Sequence, residues 1–292
     1  MPGLGAQVDV AVVTWNTRDL TVKALRHLAD SPGDLNLRLL VRDNGSSDGT
    51  AEAIAAAVPT AELDAGADNL GFAGGVNTLL ARSTAPWVLL LNSDAWPEPG
   101  AIEALVACAE RHPRAAAIAP LLRRPDGALE HSTWPFPSLR NAAGGIRRTG
   151  GYAWAHDEER EVDWAVGAAL LLRRAALDAV GPLDETLFMY AEDLEWCWRA
   201  RDAGWEIWFC PEAVVRHVGN ASGAQLYGDR RAEAWIANSV RVYRRRHGAL
   251  ATTLWRLTNA VGAAVAARRA TPVDAELSRH RRAQVRVWLR AP

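Results

Sequence analysis

The 292-residue chain is 49% hydrophobic and carries a net charge of −1, which supports a sizeable buried core and excludes disordered and fibrous classes. Cys108, Cys197 and Cys210 are far apart and show no CxxC or Cys/His ligand spacing, so neither a disulfide framework nor a structural zinc is expected, and a reducing cytoplasm fits best. Met1–Gln7 lacks the basic and apolar regions of a secretory signal, and the longest apolar runs fall far below the roughly 20 residues that span a bilayer.

Val8–Thr14 is a β-branched apolar run that reads as a buried strand, and Asp19–Leu28 follows with helical spacing of Leu20, Ala24, Leu25 and Leu28. Arg38–Val41 is a second strand, ending at Asp43; Gly45-Ser46-Ser47-Asp48-Gly49 is a turn, and an Ala-rich helix runs from Thr50 to just before Pro59. Ala61–Asp64 reads as a short strand, Gly71–Gly75 leads into a helix through Leu79 and Leu80, and Pro86–Leu91 is an apolar strand that meets Asn92-Ser93-Asp94. Pro99–Arg111 is again helical.

This alternation predicts an α/β fold with a Rossmann-like, mostly parallel sheet and helices on both faces. Residues 123–163, rich in Pro, Gly and Arg, read as a long loop region of the kind that carries substrate contacts. Regular structure resumes at Val162–Leu172, then a helix over Leu194–Ala203 closed by Gly204, and a strand at Trp205–Cys210.

From about residue 230 the chain reads as helical, with apolar, Trp and Arg residues interleaved. The expected division is a catalytic body, 1–229, and a basic helical extension, 230–292. The extension carries fourteen arginines against three acidic residues, a net +11, which leaves −12 on the body. Such a tail points either to an anionic surface or to pairing with the acidic body; the body's charge argues against nucleic acid as the main partner.

Thr14-Trp15-Asn16, Asp43-Asn44 and Asn92-Ser93-Asp94 all fall at the carboxyl ends of expected strands, where open α/β sheets bind ligands. No GxGxxG follows the first strand and no Walker A sequence exists, so phosphates on this acidic body require a cation. Asp94 with Mg²⁺ or Mn²⁺, both hard ions that take carboxylate and phosphate oxygens, supplies one.

Five segments then occur in order: VVTWN (12–16), VRDNGSSDGT (41–50), NLGFAGGVN (69–77), LLLNSDA (89–95) and LFMYAEDLEWCWRARDAGW (187–205). Together they resemble glycosyltransferase family 2, in particular its rhamnosyltransferase-like branch, over roughly residues 8–220. The resemblance implies a GT-A fold and an inverting transferase that moves a sugar from a nucleotide diphosphate to an acceptor hydroxyl.

By position it assigns Thr14, Asn16 and Asp43 to the nucleoside, with Asp48 a turn residue. Asn69, Gly71, Gly74 and Asn77 fall in the segment that covers the nucleotide. Asn92 and Asp94 match the DxD position, with Asn in place of the first Asp; Asp94 is then the main carboxylate metal ligand, and His217 resembles the histidine that some members contribute. Glu192-Asp193 matches the ED motif, with Asp193 as general base; both acids also suit the positive start of a helix. Phe188, Tyr190, Trp196 and Trp198 surround this pair in sequence, and Trp164 and Gly167 fall on the acceptor-side strand.

The favoured donor is dTDP-L-rhamnose, with UDP-sugars next, and the acceptor lies on a polysaccharide, glycolipid or natural product. A lipid-linked acceptor would fit peripheral contact of the basic tail with the cytoplasmic face of a membrane. Homo-oligomerisation is left open. An inactive nucleotide-sugar-binding protein is opposed by the intact acids, and a nucleotidyltransferase by the missing Gly-rich basic loop.

Overall fold

The computed structural model describes residues 7–30, 33, 35–147, 156–219, 221–269 and 275–291. Strand β1 (Gln7–Thr14) lies at the centre of a parallel group with β2 (Asn36–Asp43), β3 (Glu62–Ala65) and β4 (Trp87–Asn92), in the order β3-β2-β1-β4. Parallel neighbours need crossovers, here helices α1 (Arg18–Ala29), α2 (Thr50–Ala57) and α3 (Gly71–Leu80). Side chains alternate across β1. Val8, Val10 and Val12 join Leu25, Ile54 and Leu105 in one core; Ala11 joins Val76, Leu79 and Trp196 in another. The strand is therefore largely apolar on both faces, as helices on both sides demand, with buried Asp9 the exception, its Oδ2 accepting from the Ser83 hydroxyl and the Thr84 and Ala85 N–H groups.

Beyond β4 the chain forms β5 (Ala95–Pro97), α4 (Ala101–Arg111), β6 (Ala115–Arg123), β7 (Leu129–Glu130), β8 (Thr133–Trp134) and α5 (Leu139–Arg147). Next come β9 (Arg160–Val162), β10 (Trp164–Ala165), β11 (Ala169–Arg173), α6 (Arg174–Val180), α7 (Glu192–Asp202) and β12 (Glu206–His217). The sheet continues β4-β11-β6-β12-β5, with β11 antiparallel to both β4 and β6.

Several elements differ from the sequence expectation. The strand β6 is built on Ala115-Ala116-Ala117, residues of low strand propensity, and burial on the sheet overrides that preference. The region 123–163 holds short strands and α5 besides loop; its residues 148–155, including Trp154, lie outside the described residues. The run 162–172 is broken by a turn at 166–168. Strand β12 continues past Cys210 to His217 through a register shift between Cys210 and Val214 that accommodates Pro211, which has no N–H to give to a ladder.

The C-terminal part comprises α8 (Ala221–Tyr227), α9 (Arg231–Arg269), kinked at Gly248 (φ 78°, ψ 175°), and α10 (Ala275–Arg290). No packing boundary falls at residue 230: Ile236, Val240 and Tyr243 of α9 are buried in the same core as Trp196 and Phe209. Arg245 and Arg246 pair with Asp184 and Asp202 of the acidic body. Past the kink, Trp255 packs edge-on against Trp288 of α10, and Arg256 donates to the carbonyls of Trp288 and Leu289. The side chains of Arg269, Arg281 and Arg282, also counted in the basic tail, lie outside those described, as does Met1–Ala6 at the other end. Among the described residues no helix is long and apolar enough to cross a membrane. Cys108, Cys197 and Cys210 are free and buried.

Candidate active site

Two long-range pairings assemble the metal-ligating candidates. The end of β12 runs antiparallel to β5 and sets His217 opposite Ala95, and Val218 N–H donates to Asp94 O. The imidazole thereby reaches Asp94: Nε2 lies 3.3 Å from Oδ1, and 3.3 Å from Asn92 Nδ2. On its other side Nδ1 lies 3.0 Å from Glu130 of β7. Burial by itself would lower the His217 pKa, but hydrogen bonds and charge from Asp94 and Glu130 outweigh it and hold the imidazole up at about 9. Asp94 and His217 are both nearly fully buried from solvent, yet both border a cavity at the carboxyl end of the sheet.

The candidate base arrives from the opposite wall. A 3₁₀ turn at Glu185–Leu187 leads into a segment where Phe188, Tyr190 and Ala191 all take positive φ, and α7 begins at Glu192. Asp193 Oδ2 accepts from Gly167 N–H at 2.9 Å and Oδ1 from Leu194 N–H at 2.7 Å. Burial pushes Asp193 up to about 6, against the lowering effect of those two N–H donors. Glu192 is pushed well above the usual carboxylate range, by burial first and then by the charge of Asp193. Its Oε2 is buried without a hydrogen-bond partner among the described residues, consistent with a neutral carboxyl.

The cavity, of about 240 Å³, brings together Thr14, Asn69, Gly71, Asn92, Asp94, Trp164, Gly167, Glu192, Asp193 and His217. The Thr14 hydroxyl is tied into a buried cluster with Thr17 and Thr21, and Trp164 is almost wholly buried, its Nε1–H donating to Pro135 O.

Asn16, Asp43, Gly74 and Asn77 are not on the cavity wall. Asn16 and Asp43 form a separate polar patch at the ends of β1 and β2: Asn16 Oδ1 accepts from Ser47 N–H, and Asp43 accepts from the Ser46 hydroxyl. Burial raises the Asp43 pKa, and the Ser46 donors oppose it. Gly74 lies inside α3, where a Cβ would meet Leu70 Cβ at 2.9 Å, so its smallness serves helix packing. Asn77, expected at the nucleotide, is engaged within the protein. Its amide is spent on Leu183, taking the N–H at 3.0 Å and giving to the carbonyl at 2.9 Å, and it also donates to Glu185. Asp48 is a turn residue, accepting from Thr50 and Arg18 N–H.

Of the aromatics flanking the acids, Tyr190 borders the cavity, whereas Trp196 and Trp198 are core: Trp196 Nε1–H donates to Gly181 O, and Trp198 stacks on Phe136. Also on the wall are Asn44, which the sequence places at a strand end, and Glu130, His131 and Trp235, which no motif picks out. Asn44 sits beside Asp43 in a quoted motif and donates to Gly71 O at 2.9 Å; its amide character was a usable signal. Glu130 lies on a two-residue strand and carried none.

Comparison with known proteins agrees with this geometry. A family model described as "Glycosyltransferase like family 2" matches residues 4–238. The chain is 36% identical, over 210 residues, to the N-acetylglucosaminyl-diphospho-decaprenol L-rhamnosyltransferase of Mycobacterium tuberculosis, covering 63% of this chain and 68% of that protein. It is 30% identical over 150 residues to a pre-mycofactocin glycosyltransferase of the same organism, 50% of this chain and 30% of that one. Among solved structures, the mannosyltransferase PcManGT from Pyrobaculum calidifontis, in complex with GDP-Man and Mn²⁺, superimposes with a TM-score of 0.61 at 20% identity, covering 99% of this chain and 87% of that one.

Proposed function

Because the chain belongs to the glycosyltransferase-like family 2, and is a glycosyltransferase with a GT-A fold, we propose that it transfers L-rhamnose, with inversion, from dTDP-L-rhamnose to a hydroxyl of a lipid-linked glycan. The observation that carries this reading is the meeting of Asp94, His217 and Asp193, from three distant stretches of chain, on one cavity. The sugar and the acceptor class rest on the relative named for moving L-rhamnose to N-acetylglucosaminyl-diphospho-decaprenol.

A divalent cation, Mg²⁺ or Mn²⁺, fits the donor set once it takes the place of the proton that Asp94 and Glu130 hold on the metal-free His217 ring. Asp94 offers a carboxylate oxygen and the deprotonated His217 an imidazole nitrogen 3.3 Å away, and Glu130 holds the far side of the ring as a carboxylate does behind metal-bound histidines. Asp94 and His217 would hold the ion, which when bound supplies Lewis-acid stabilisation of the departing nucleoside diphosphate.

The remaining work falls to the protein's own groups. Asp193, fixed by Gly167 and Leu194, takes the proton of the acceptor hydroxyl; each of its oxygens accepts one N–H and keeps a lone pair for that proton. The acceptor oxygen bonds to the anomeric carbon from the face opposite the diphosphate, whose bond to that carbon breaks, so one displacement inverts the centre. Burial and the charge of Asp193 push Glu192 toward its neutral form, which limits the negative charge that faces the diphosphate.

The extension supports contact with the cytoplasmic face of an anionic membrane. Leu250, Leu254, Leu257 and Val261 recur at helical spacing on α9 and are all exposed, beside a strongly basic composition.

Thermal shift with dTDP-, UDP- and GDP-sugars, with and without Mn²⁺, tests the donor. dTDP-L-rhamnose with Mn²⁺ should stabilise most, by mass action on the folded state. Preference for a UDP-sugar would move the donor assignment, and no response to any nucleotide sugar would remove the reading.

A further inference from the structure

The segment that delivers Asp193 adopts backbone conformations that side-chain-bearing residues rarely hold, and its carbonyls are gathered from outside. Phe188, Tyr190 and Ala191 have φ of 51°, 74° and 68°; such conformations persist only where the surroundings impose them. The side-chain amide of Asn238, on α9, donates through Nδ2 toward Leu187 O at 2.9 Å, Met189 O at 2.9 Å and Tyr190 O at 3.2 Å. An amide nitrogen carries two hydrogens, so three carbonyls share them. The carbonyl between, Phe188 O, accepts from Phe72 N–H at 2.7 Å, and Thr186 O accepts from Arg241 at 2.9 Å. Every carbonyl from 186 to 190 thus has a donor from another element.

Resting on the reading of Asp193 as the base, we propose that Asn238 is a positioning residue for glycosyl transfer, its amide locking the 187–191 turn in the conformation that points Asp193 at the acceptor. Asn238 does not border the cavity, so it acts through the turn alone. The chemistry calls for a donor: a carboxylate of the same shape would face three carbonyl oxygens, and an apolar side chain would take away the bond that joins them to α9, leaving Leu187 O only its local bond from Met189 N–H. The extension is then a working part of the catalytic body, through α9.

The test compares Asn238→Ala and the near-isosteric Asn238→Asp with Ser239→Ala, a buried neighbour on the same helix. Displacement of a base by about 1 Å costs on the order of 10²-fold, so kcat for acceptor-dependent transfer should fall about 10- to 100-fold in both Asn238 variants. Nucleotide-sugar affinity should hold, and Ser239→Ala should match wild type. The acid limb of the pH–rate profile should move toward the ordinary aspartate range as the turn loosens. The Phe72 amide, which reports on the turn, should exchange hydrogen faster in both Asn238 variants. Wild-type kcat in either, or a loss of kcat matched by equal losses of affinity and melting temperature, would overturn the proposal. A wild type inactive with every donor would count against the rhamnosyl-transfer reading, and the exchange rate at Phe72 would then decide the clamp by itself.

Discussion

Asp193 and Gly167 are joined by a 2.9 Å hydrogen bond from the Gly167 N–H to Oδ2, across 26 residues of sequence. The contact ties the start of α7 to the turn between β10 and β11, so the candidate base and the segment proposed to face the acceptor are set as one unit. The space is close: a Cβ at Gly167 would meet Phe72 Cε1 at 3.3 Å and Asp193 Cβ at 3.8 Å.

The pH dependence of transfer follows from the burial of this pair. Asp193 is pushed up to about 6, and a general base works only when deprotonated, so kcat/KM should rise with pH through about 6 and level off above it. A pH–rate series in saturating metal checks this; a flat profile through that range would count against Asp193 as base.

The same burial makes the stability effect of an inactivating change depend on pH. The folded-state pKa of Asp193 lies above the ordinary aspartate value, so its contribution favours the fold fully below about pH 3.9 and is lost as pH rises through about 6. Asp193→Asn, whose one carbonyl oxygen can accept only one of the Gly167 and Leu194 N–H groups at any pH, should therefore change the melting temperature more favourably near pH 8 than near pH 4. Scanning calorimetry at both values tests the sign.

Glu130 should matter to metal binding without touching the metal. Its carboxylate holds His217 Nδ1 at 3.0 Å, and removing such a partner typically weakens metal affinity about 10- to 100-fold. Glu130→Ala should do so for Mn²⁺, measured by calorimetry or electron paramagnetic resonance in the presence of nucleoside diphosphate. Asp94→Asn should weaken it further. Unchanged affinity in Glu130→Ala would mean that the ring is oriented by Asp94 and Asn92 alone.

Gly71 and Gly100 separate two reasons for glycine. Both have positive φ, but a Cβ at Gly71 would fall 2.3 Å from Phe188 O, whereas nothing lies within 4 Å of one at Gly100. Gly100→Ala should cost about 1–2 kcal/mol from the backbone alone. Gly71→Ala should cost more and reduce transfer as well, because it pushes on the turn before Asp193. Denaturant unfolding and a transfer assay measure both effects.

The membrane reading makes a surface prediction. Replacing exposed Leu254 and Leu257 together with Gln should leave donor binding intact and reduce flotation with anionic vesicles, since burial of apolar side chains drives interfacial binding. Equal flotation of the double variant would show that this stripe is not the contact.

The first half of the fold was legible because β1 and β4 are mostly apolar runs punctuated by turn residues, as strands buried on both faces must be, and β2 keeps an apolar centre at Leu39-Leu40-Val41 between Arg38 and Arg42, which pair with Glu62 and Asp64. The alanine strand β6 was not, since its residues favour helix and only its place between β11 and β12 makes it a strand. The motifs pick out Asp94, Asp193 and His217, but their convergence depends on β11 running antiparallel beside β4 and on the extension of β12 past Pro211, neither of which has a local signal. Asn77 lies in a recognisable motif, and only the structure shows that its amide braces the chain at Leu183. Glu130 and Asn238 make contacts that only the assembled structure creates.

The most direct measurement is single-turnover transfer by Asp193→Asn, with dTDP-L-rhamnose, Mn²⁺ and a polyprenyl-diphospho-N-acetylglucosamine acceptor. The account predicts metal-dependent donor binding like wild type and a transfer rate lower by about 10²- to 10⁴-fold. Transfer at the wild-type rate would contradict it.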